Sequence, residues 1–254
     1  MSSVYNRLVP CLLLQDGGLV KTIQFRSPRY VGDPINAIRI FNEKAVDELL
    51  IYDIQASRTG VHPKYELLAR IAGECFMPLC YGGGISSLVQ ARKIVALGVE
   101  KLSINSGAID RPAFISELSA ELGASSVVVT IDVKHDWRGR RRVYHPGRRR
   151  LTRLDPIDFA QMAVENGAGE ILVNDVDRDG CYVGYDLQLV RDVSQAVPVP
   201  VIACGGASSL MDMRAAVEAG AQAAAAGSIF VFYGPHKAVL INYPDFKSVR
   251  KLFS

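Results

Sequence analysis

The feature that most constrains this chain is a repeat of itself. Glu48-Leu49-Leu50-Ile51-Tyr52-Asp53 aligns with Glu170-Ile171-Leu172-Val173-Asn174-Asp175 at an offset of 122 residues. At the same offset Gly83-Gly84 falls on Gly205-Gly206, Gly98 on Gly220 and Ser106 on Ser228. Three strand–loop units sharing one offset point to a duplication, two fused halves of about 1–122 and 123–254. No Pro/Gly/Ser-rich linker separates the halves, so one domain over 1–254 is expected instead of two.

Short apolar, β-rich runs alternate with helical patterns along both halves. Strands are expected at 7–13, 48–53, 77–81, 101–104, 126–132, 170–176, 199–203 and 223–226. Helical stretches fall between them, for example 36–45, 88–96, 112–122, 158–166 and 209–218. Eight βα units in 254 residues fit an α/β chain closed into a (βα)8 TIM barrel built from two half-barrels, better than an open doubly wound sheet.

Other function classes recede. No apolar run approaches the roughly 18 residues of a membrane span, and residues 1–7 lack the basic and apolar regions of a secretory signal. The five cysteines form no CxxC pair and read as buried thiols of a reducing cytoplasm. The four histidines lack HxxxH or HExxH spacing, so neither a metal site nor a cofactor is expected. Residues 134–153 carry eight arginines and one lysine against one aspartate, a local net of +8 in a chain of net charge +3. That run reads either as a solvated hairpin or loop, or as a lid or docking surface for a phosphorylated small molecule. Nucleic acid fits poorly, because only Trp137 and Tyr144 are interleaved and no recognition motif accompanies them.

In a parallel barrel the chemistry sits where strands end. The candidates are Gly82-Gly83-Gly84, Asn105-Ser106, Asp179-Gly180, Gly205-Gly206 and Gly227-Ser228. Glycine lets an anion approach backbone N–H groups, and a helix start after it favours negative charge. Such glycines also serve simply as tight turns, but each half offers its own glycine-rich loop with a small polar strand end. Two facing phosphate cradles imply a substrate phosphorylated at both ends. Asp132 closes the fifth strand, where a desolvated carboxylate could shuttle protons. At the opposite rim, Arg7, Glu48, Lys101 and Glu170 each precede an apolar run, and four balanced charges there suggest a ring closing the lower mouth.

These residues also carry a resemblance. Val9-Pro10-Cys11-Leu12, Asp16-Gly17-Gly18-Leu19-Val20-Lys21, Gly32-Asp33-Pro34, Asp47-Glu48-Leu49, Asp53, Ala56-Ser57, Gly82-Gly83-Gly84-Ile85 and Ser103-Ile104-Asn105 match in the first half. Val127-Val128-Val129-Thr130-Ile131-Asp132, Gly167-Ala168-Gly169-Glu170-Ile171-Leu172, Asp177-Arg178-Asp179-Gly180, Gly184-Tyr185-Asp186 and Cys204-Gly205-Gly206-Ala207 match in the second. From about Arg7 to Phe232 the chain resembles the cyclase subunit of imidazole glycerol phosphate synthase, the HisF family. The resemblance implies a bisphosphate substrate, an active-site loop carrying Lys21 and Phe25, and Asp132 as one of two acid–base aspartates. It also implies a separate glutaminase subunit in a heterodimer, sending ammonia through an Arg7, Glu48, Lys101 and Glu170 gate.

The chain departs from that family at three places. Leu13 stands where the second aspartate belongs, Thr152-Arg153 replaces a Thr-Gly pair, and Asn174 replaces a threonine. Three readings stay open: the family's ammonia-using cyclase; a divergent paralogue amidating a sugar nucleotide to an acetamidino group in surface-polysaccharide (lipopolysaccharide) synthesis; or a non-catalytic, ammonia-conducting scaffold. The run Asn36-Ala37-Ile38-Arg39-Ile40-Phe41-Asn42-Glu43-Lys44 resembles the second group.

Overall fold

In the structure, a computed structural model, residues 6–59 and 62–253 are described. The signal-peptide reading of residues 1–5, and any role for the Ser57 side chain, lie outside the described residues. The strands are β1 (Arg7–Gln15), β2 (Gly18–Ile23), β3 (Arg26–Gly32), β4 (Leu49–Asp53), β5 (Leu79–Gly82), β6 (Lys101–Ile104), β7 (Val127–His135), β8 (Arg141–His145), β9 (Arg150–Leu151), β10 (Glu170–Asp175), β11 (Val201–Cys204), β12 (Ala223–Ala226), β13 (Phe232–Tyr233) and β14 (Ala238–Val239). The helices are α1 (Pro34–Glu43), α2 (Ala56–Thr59), α3 (Tyr65–Glu74), α4 (Leu88–Val95), α5 (Ser106–Asp110), α6 (Ala113–Leu122), α7 (Pro156–Glu165), α8 (Leu187–Ala196), α9 (Leu210–Glu218), α10 (Ser228–Val231) and α11 (Phe246–Leu252).

Eight strands pair in parallel in the order β1-β4-β5-β6-β7-β10-β11-β12. The register Arg7↔Ala223 through Pro10↔Ala226 joins β12 back to β1 and closes the barrel. The expected α/β (βα)8 architecture is therefore present. Side chains alternate along each strand. One set, including Leu8, Leu49, Ile51, Leu102, Val129, Ile171 and Ala203, packs outward against the helices in the main core. The other set, Val9, Leu50, Cys80, Val128, Leu172, Ile202, Ala223 and Ala225, fills the barrel interior.

The helices start where the sequence places caps. Asp33 and Asp155 accept from Asn36 N and Ile157 N, and a proline follows each at the first helical position. Ser87 with Gln90, and Ser209 with Asp212, form capping boxes on α4 and α9. These pairs are again 122 residues apart.

Two hairpins rise above the barrel and were not separated in the strand pattern. β2 and β3 extend from β1, with Leu13↔Val20 and Gln15↔Gly18 in register. β8 and β9 extend from the end of β7. The arginine-rich run is thus a hairpin, and much of its charge is neutralised locally. Arg140 pairs with Asp136 at 2.9 Å, Arg141 with Asp186 and Asp192 at 2.8 and 3.0 Å, and Arg148 with Asp110 at 2.6 Å. Its local excess positive charge is smaller than the linear count implies, while Arg149 on the turn lines the cavity below.

Candidate active site

The C-terminal ends of the barrel strands surround a cavity of about 490 Å3. Leu13, Lys21, Gly84, Asn105, Ser106, Asp132, Asp179, Gly180, Gly205, Gly206 and Ser228 all line it. The loops place them differently from simple strand ends. β10 stops at Asp175, so Asp179 and Gly180 lie in the loop beyond it. Asn105 precedes α5 and Gly227 precedes α10, with Ser106 and Ser228 as first helical residues. Both helices are about one turn long, which limits any dipole contribution. An anion placed there would meet backbone N–H groups and hydroxyls. The Asn105 Oδ1 and Ser106 Oγ atoms are buried with no protein partner.

Glycine is required where the loops crowd. A Cβ on Gly83 would fall 2.4 Å from Asp53 O, and one on Gly206 2.2 Å from Gly184 O, at φ of +123° and +105°. A Cβ on Gly180 would lie 2.4 Å from Thr22 O, because the β2–β3 hairpin sits directly on this loop. Gln24 donates from its backbone N to Asp179 O at 2.9 Å, and Phe25 packs edge-on against Tyr144 with centroids 6.1 Å apart. Lys21, buried on β2, donates to Cys11 O at 2.5 Å beside Gly227. Burial lowers its pKa, while Cys11 and Asp179 favour the ammonium.

Asp132 lies at the cavity floor, 4% exposed. Asn174 Nδ2 and Asn105 Nδ2 each donate to one of its carboxylate oxygens at 2.8 Å. Burial pushes its pKa up to about 7; the two amides pull it down and Asp179 pushes it further up. Asp179 itself is raised to about 6, by burial and then Asp175, against the pull of Lys21. A carboxyl group poised near neutrality can accept and return a proton. Leu13 stands in β1 opposite Tyr52, with no acid in its place.

At the other end of the barrel, Arg7 and Lys101 each bridge both Glu48 and Glu170. Lys101 Nζ lies 2.9 Å from Glu48 and 2.8 Å from Glu170. Burial opposes the Lys101 charge, but Glu170 and Glu48 outweigh it and raise its pKa. In the alternating ring each of the four charges is paired with two of opposite sign.

One group went unnoticed in the linear pattern. Tyr52, Ser103 and Thr130 project inward from β4, β6 and β7 and bond to one another at 3.1, 3.0 and 2.6 Å. The Tyr52 ring crosses over Gly82, where a Cβ would come within 2.6 Å of it. Inward parity would have found it, since Tyr52 is four residues beyond Glu48 on the same strand path. Among the described residues, no cluster of His, Cys, Asp or Glu could hold a metal ion, and no helix is long and apolar enough to cross a membrane.

Comparison with known proteins agrees with this geometry. Residues 7–236 match the family described as histidine biosynthesis protein. The chain is 52% identical over 243 residues to the provisionally named imidazole glycerol phosphate synthase subunit hisF2 of Pseudomonas aeruginosa, covering 95% of this chain and 97% of the relative. It is 49% identical to a similarly named HisF subunit of Leptospira interrogans, covering 97% and 98%. The imidazole glycerol phosphate synthase subunit HisF of Alkaliphilus metalliredigens is 39% identical, covering 89% and 90%.

Proposed function

Because the chain belongs to the histidine biosynthesis family, among the HisF-type cyclase subunits of imidazole glycerol phosphate synthase, we propose that it is an ammonia-using synthase subunit fed by a glutaminase partner. The observation that carries this reading is the lower ring of Arg7, Glu48, Lys101 and Glu170, on the same barrel axis as the Asp132 cavity. Neutral ammonia would become ammonium in bulk water near pH 7, so a closed route from the ring to the cavity protects the nucleophile. The glutaminase docks on the N-terminal face of the barrel, as a heterodimer. Lys21, Gly84, Asn105, Ser106, Asp179, Gly180, Gly205, Gly206 and Ser228 hold the two ends of a phosphorylated small molecule. Asp132 is the acid–base group.

A second reading is favoured by one residue. Family ring closure moves protons on both faces of the substrate, each acid–base group contributing roughly 10²–10⁴-fold. Leu13 supplies no carboxyl on the β1 side, and Gln15 and Asp16, the polar residues that follow it, stand at the end of β1 and in the turn after it. Gln15 and Asp16 instead shape the turn and its contact with Gln55. That favours a divergent paralogue adding ammonia to a different acceptor, such as a sugar nucleotide on the way to an acetamidino group. A scaffold that only conducts ammonia is the limiting case.

Two measurements separate these readings. Co-expression with a triad-type glutaminase should yield a one-to-one complex in which Lys101→Ala uncouples glutamine hydrolysis from nitrogen transfer; a barrel that ignores every glutaminase tested removes the proposal. An ammonia-dependent assay with the histidine-pathway ribonucleotide then tests the acceptor. Turnover matching an ordinary cyclase would sink the paralogue reading.

A further inference from the structure

Along β10, Glu170, Leu172 and Asn174 mark three successive levels of the barrel interior. Glu170 belongs to the lower ring, Leu172 to the apolar interior and Asn174 to the cavity floor. At about 3.3 Å per residue, Asn174 stands about 13 Å along the strand from the ring. The intervening wall of Val9, Leu50, Val128 and Ile202 is apolar, with Cys11 and Cys80 adding thiols that accept only weakly. The three hydroxyls of Tyr52, Ser103 and Thr130 spend their donors on one another, so each oxygen already has protein partners.

Asn174 differs from them. Its Nδ2 donates to Asp132 at 2.8 Å, which turns Oδ1 away from the carboxylate. That Oδ1 is buried and has no protein partner. It faces Gly205, where a Cβ would come within 2.7 Å of it. A buried acceptor with a lone pair unused calls for a donor from outside the protein. Ammonia carries N–H donors and is small enough for such a place.

We propose that Asn174 docks the nitrogen nucleophile: its Oδ1 accepts one N–H of ammonia leaving the barrel interior, while its Nδ2 fixes Asp132 to accept another. This rests on the ammonia-conducting reading of the ring. The nitrogen lone pair then forms a bond to the electrophilic carbon of an acceptor bearing a C=O or C=N group. The π electron pair moves onto the acceptor's heteroatom, and the surplus proton on nitrogen passes to Asp132. Asn174 binds and Asp132 takes the proton.

The test needs no acceptor substrate. Full-length protein labelled in its Asn side-chain amides and Asp carboxyl carbons is titrated with ammonium chloride at an alkaline pH where neutral ammonia is populated, and in parallel with tetramethylammonium chloride at equal pH and ionic strength. Ammonia alone should give a saturable shift at the Asn174 amide and the Asp132 carboxyl. Asn174→Ala should weaken it about fivefold, as for one lost neutral hydrogen bond. No ammonia-specific shift in the wild-type protein, or an equal shift at Asp132 in the variant, overturns the proposal. The wild-type arm decides even if the variant fails to fold. Glutamine-driven transfer in the Lys101→Ala complex is scored separately. Coupling that survives there removes the ring reading, whereas a missing ammonia shift removes Asn174 alone.

Discussion

Removing Lys101 should destabilise the barrel by an amount set by its two buried partners. Glu48 and Glu170 are 2% and 4% exposed, and each is bonded to both Lys101 and Arg7. In Lys101→Met, two carboxylates would share one guanidinium in a site that water barely reaches. Breaking a buried ion pair by deleting one partner costs about 3–5 kcal/mol. The Lys101 side chain is 21% exposed, so solvent screening places the loss near the lower end, about 3 kcal/mol. At roughly 2–4 °C per kcal/mol for a chain of this size, that is a fall in Tm of about 6–12 °C. Adding Glu170→Gln to Lys101→Met leaves Arg7 with Glu48 alone and should recover a large part of the loss, because one cation again faces one anion. Urea unfolding of the two singles and the double measures the coupling directly. A Lys101→Met loss below about 0.5 kcal/mol, the range of ordinary surface changes, would refute the reasoning. So would a double variant whose loss equals the sum of the singles.

Three further outcomes follow from the upper cavity. Asp132 has a folded pKa raised from 3.8 to about 7, so its carboxyl favours the folded state below about pH 4 and loses that contribution as pH rises through 7; unfolding free energy should fall between about pH 4 and 7, with a smaller slope in Asp132→Asn, and an unchanged slope would contradict the assignment. Leu13→Asp should restore a trace of ring-closing turnover with the histidine-pathway ribonucleotide if the rest of the pocket accepts it, and turnover lower than that of the wild-type protein would count against a missing β1 acid as the defect. Gly206→Ala should abolish protection by inorganic phosphate against thermal unfolding, since the added Cβ would meet Gly184 O at 2.2 Å; undiminished protection would remove Gly206 from the cradle.

The fold was legible because its information is periodic. Alternating apolar runs and glycine pairs recur locally, and the 122-residue offset registers one half on the other. The polar constellations were legible only where a residue's place on its strand implied a neighbour. Glu48 and Glu170 begin strands and so reach the lower mouth, and Asp132 follows Val128 and Thr130 by even steps and so faces inward. The arginine run left two readings open because its counter-charges, Asp110, Asp186 and Asp192, lie far away in sequence on α5, before α8 and on α8. The Tyr52, Ser103 and Thr130 triangle carried no motif, and only even steps from Glu48, Lys101 and Val128 place its hydroxyls inward.

That triangle bears on Leu13. The register pairs Leu13 with Tyr52, so the side chain nearest the missing acid across the ladder is a phenol. Burial, then the neighbouring Cys80 and Cys11, raise the Tyr52 pKa well above its ordinary value, so it stays a neutral hydroxyl at any working pH. Its oxygen is turned toward Ser103 and Thr130, below the level of Asp132 and Asn105 on the same two strands. It therefore cannot serve as a proton carrier for a substrate lying above it. Carboxyls raised toward neutrality line the pocket at Asp132 on its floor and at Asp179 in the loop after β10, both in the second half of the chain. On the β1 side the cavity carries the titratable groups Cys11 and Lys21 but, at Leu13, no carboxyl; the proposed addition of ammonia at an activated carbon, which takes one proton acceptor, rests on the carboxyl that Asn105 and Asn174 hold in place.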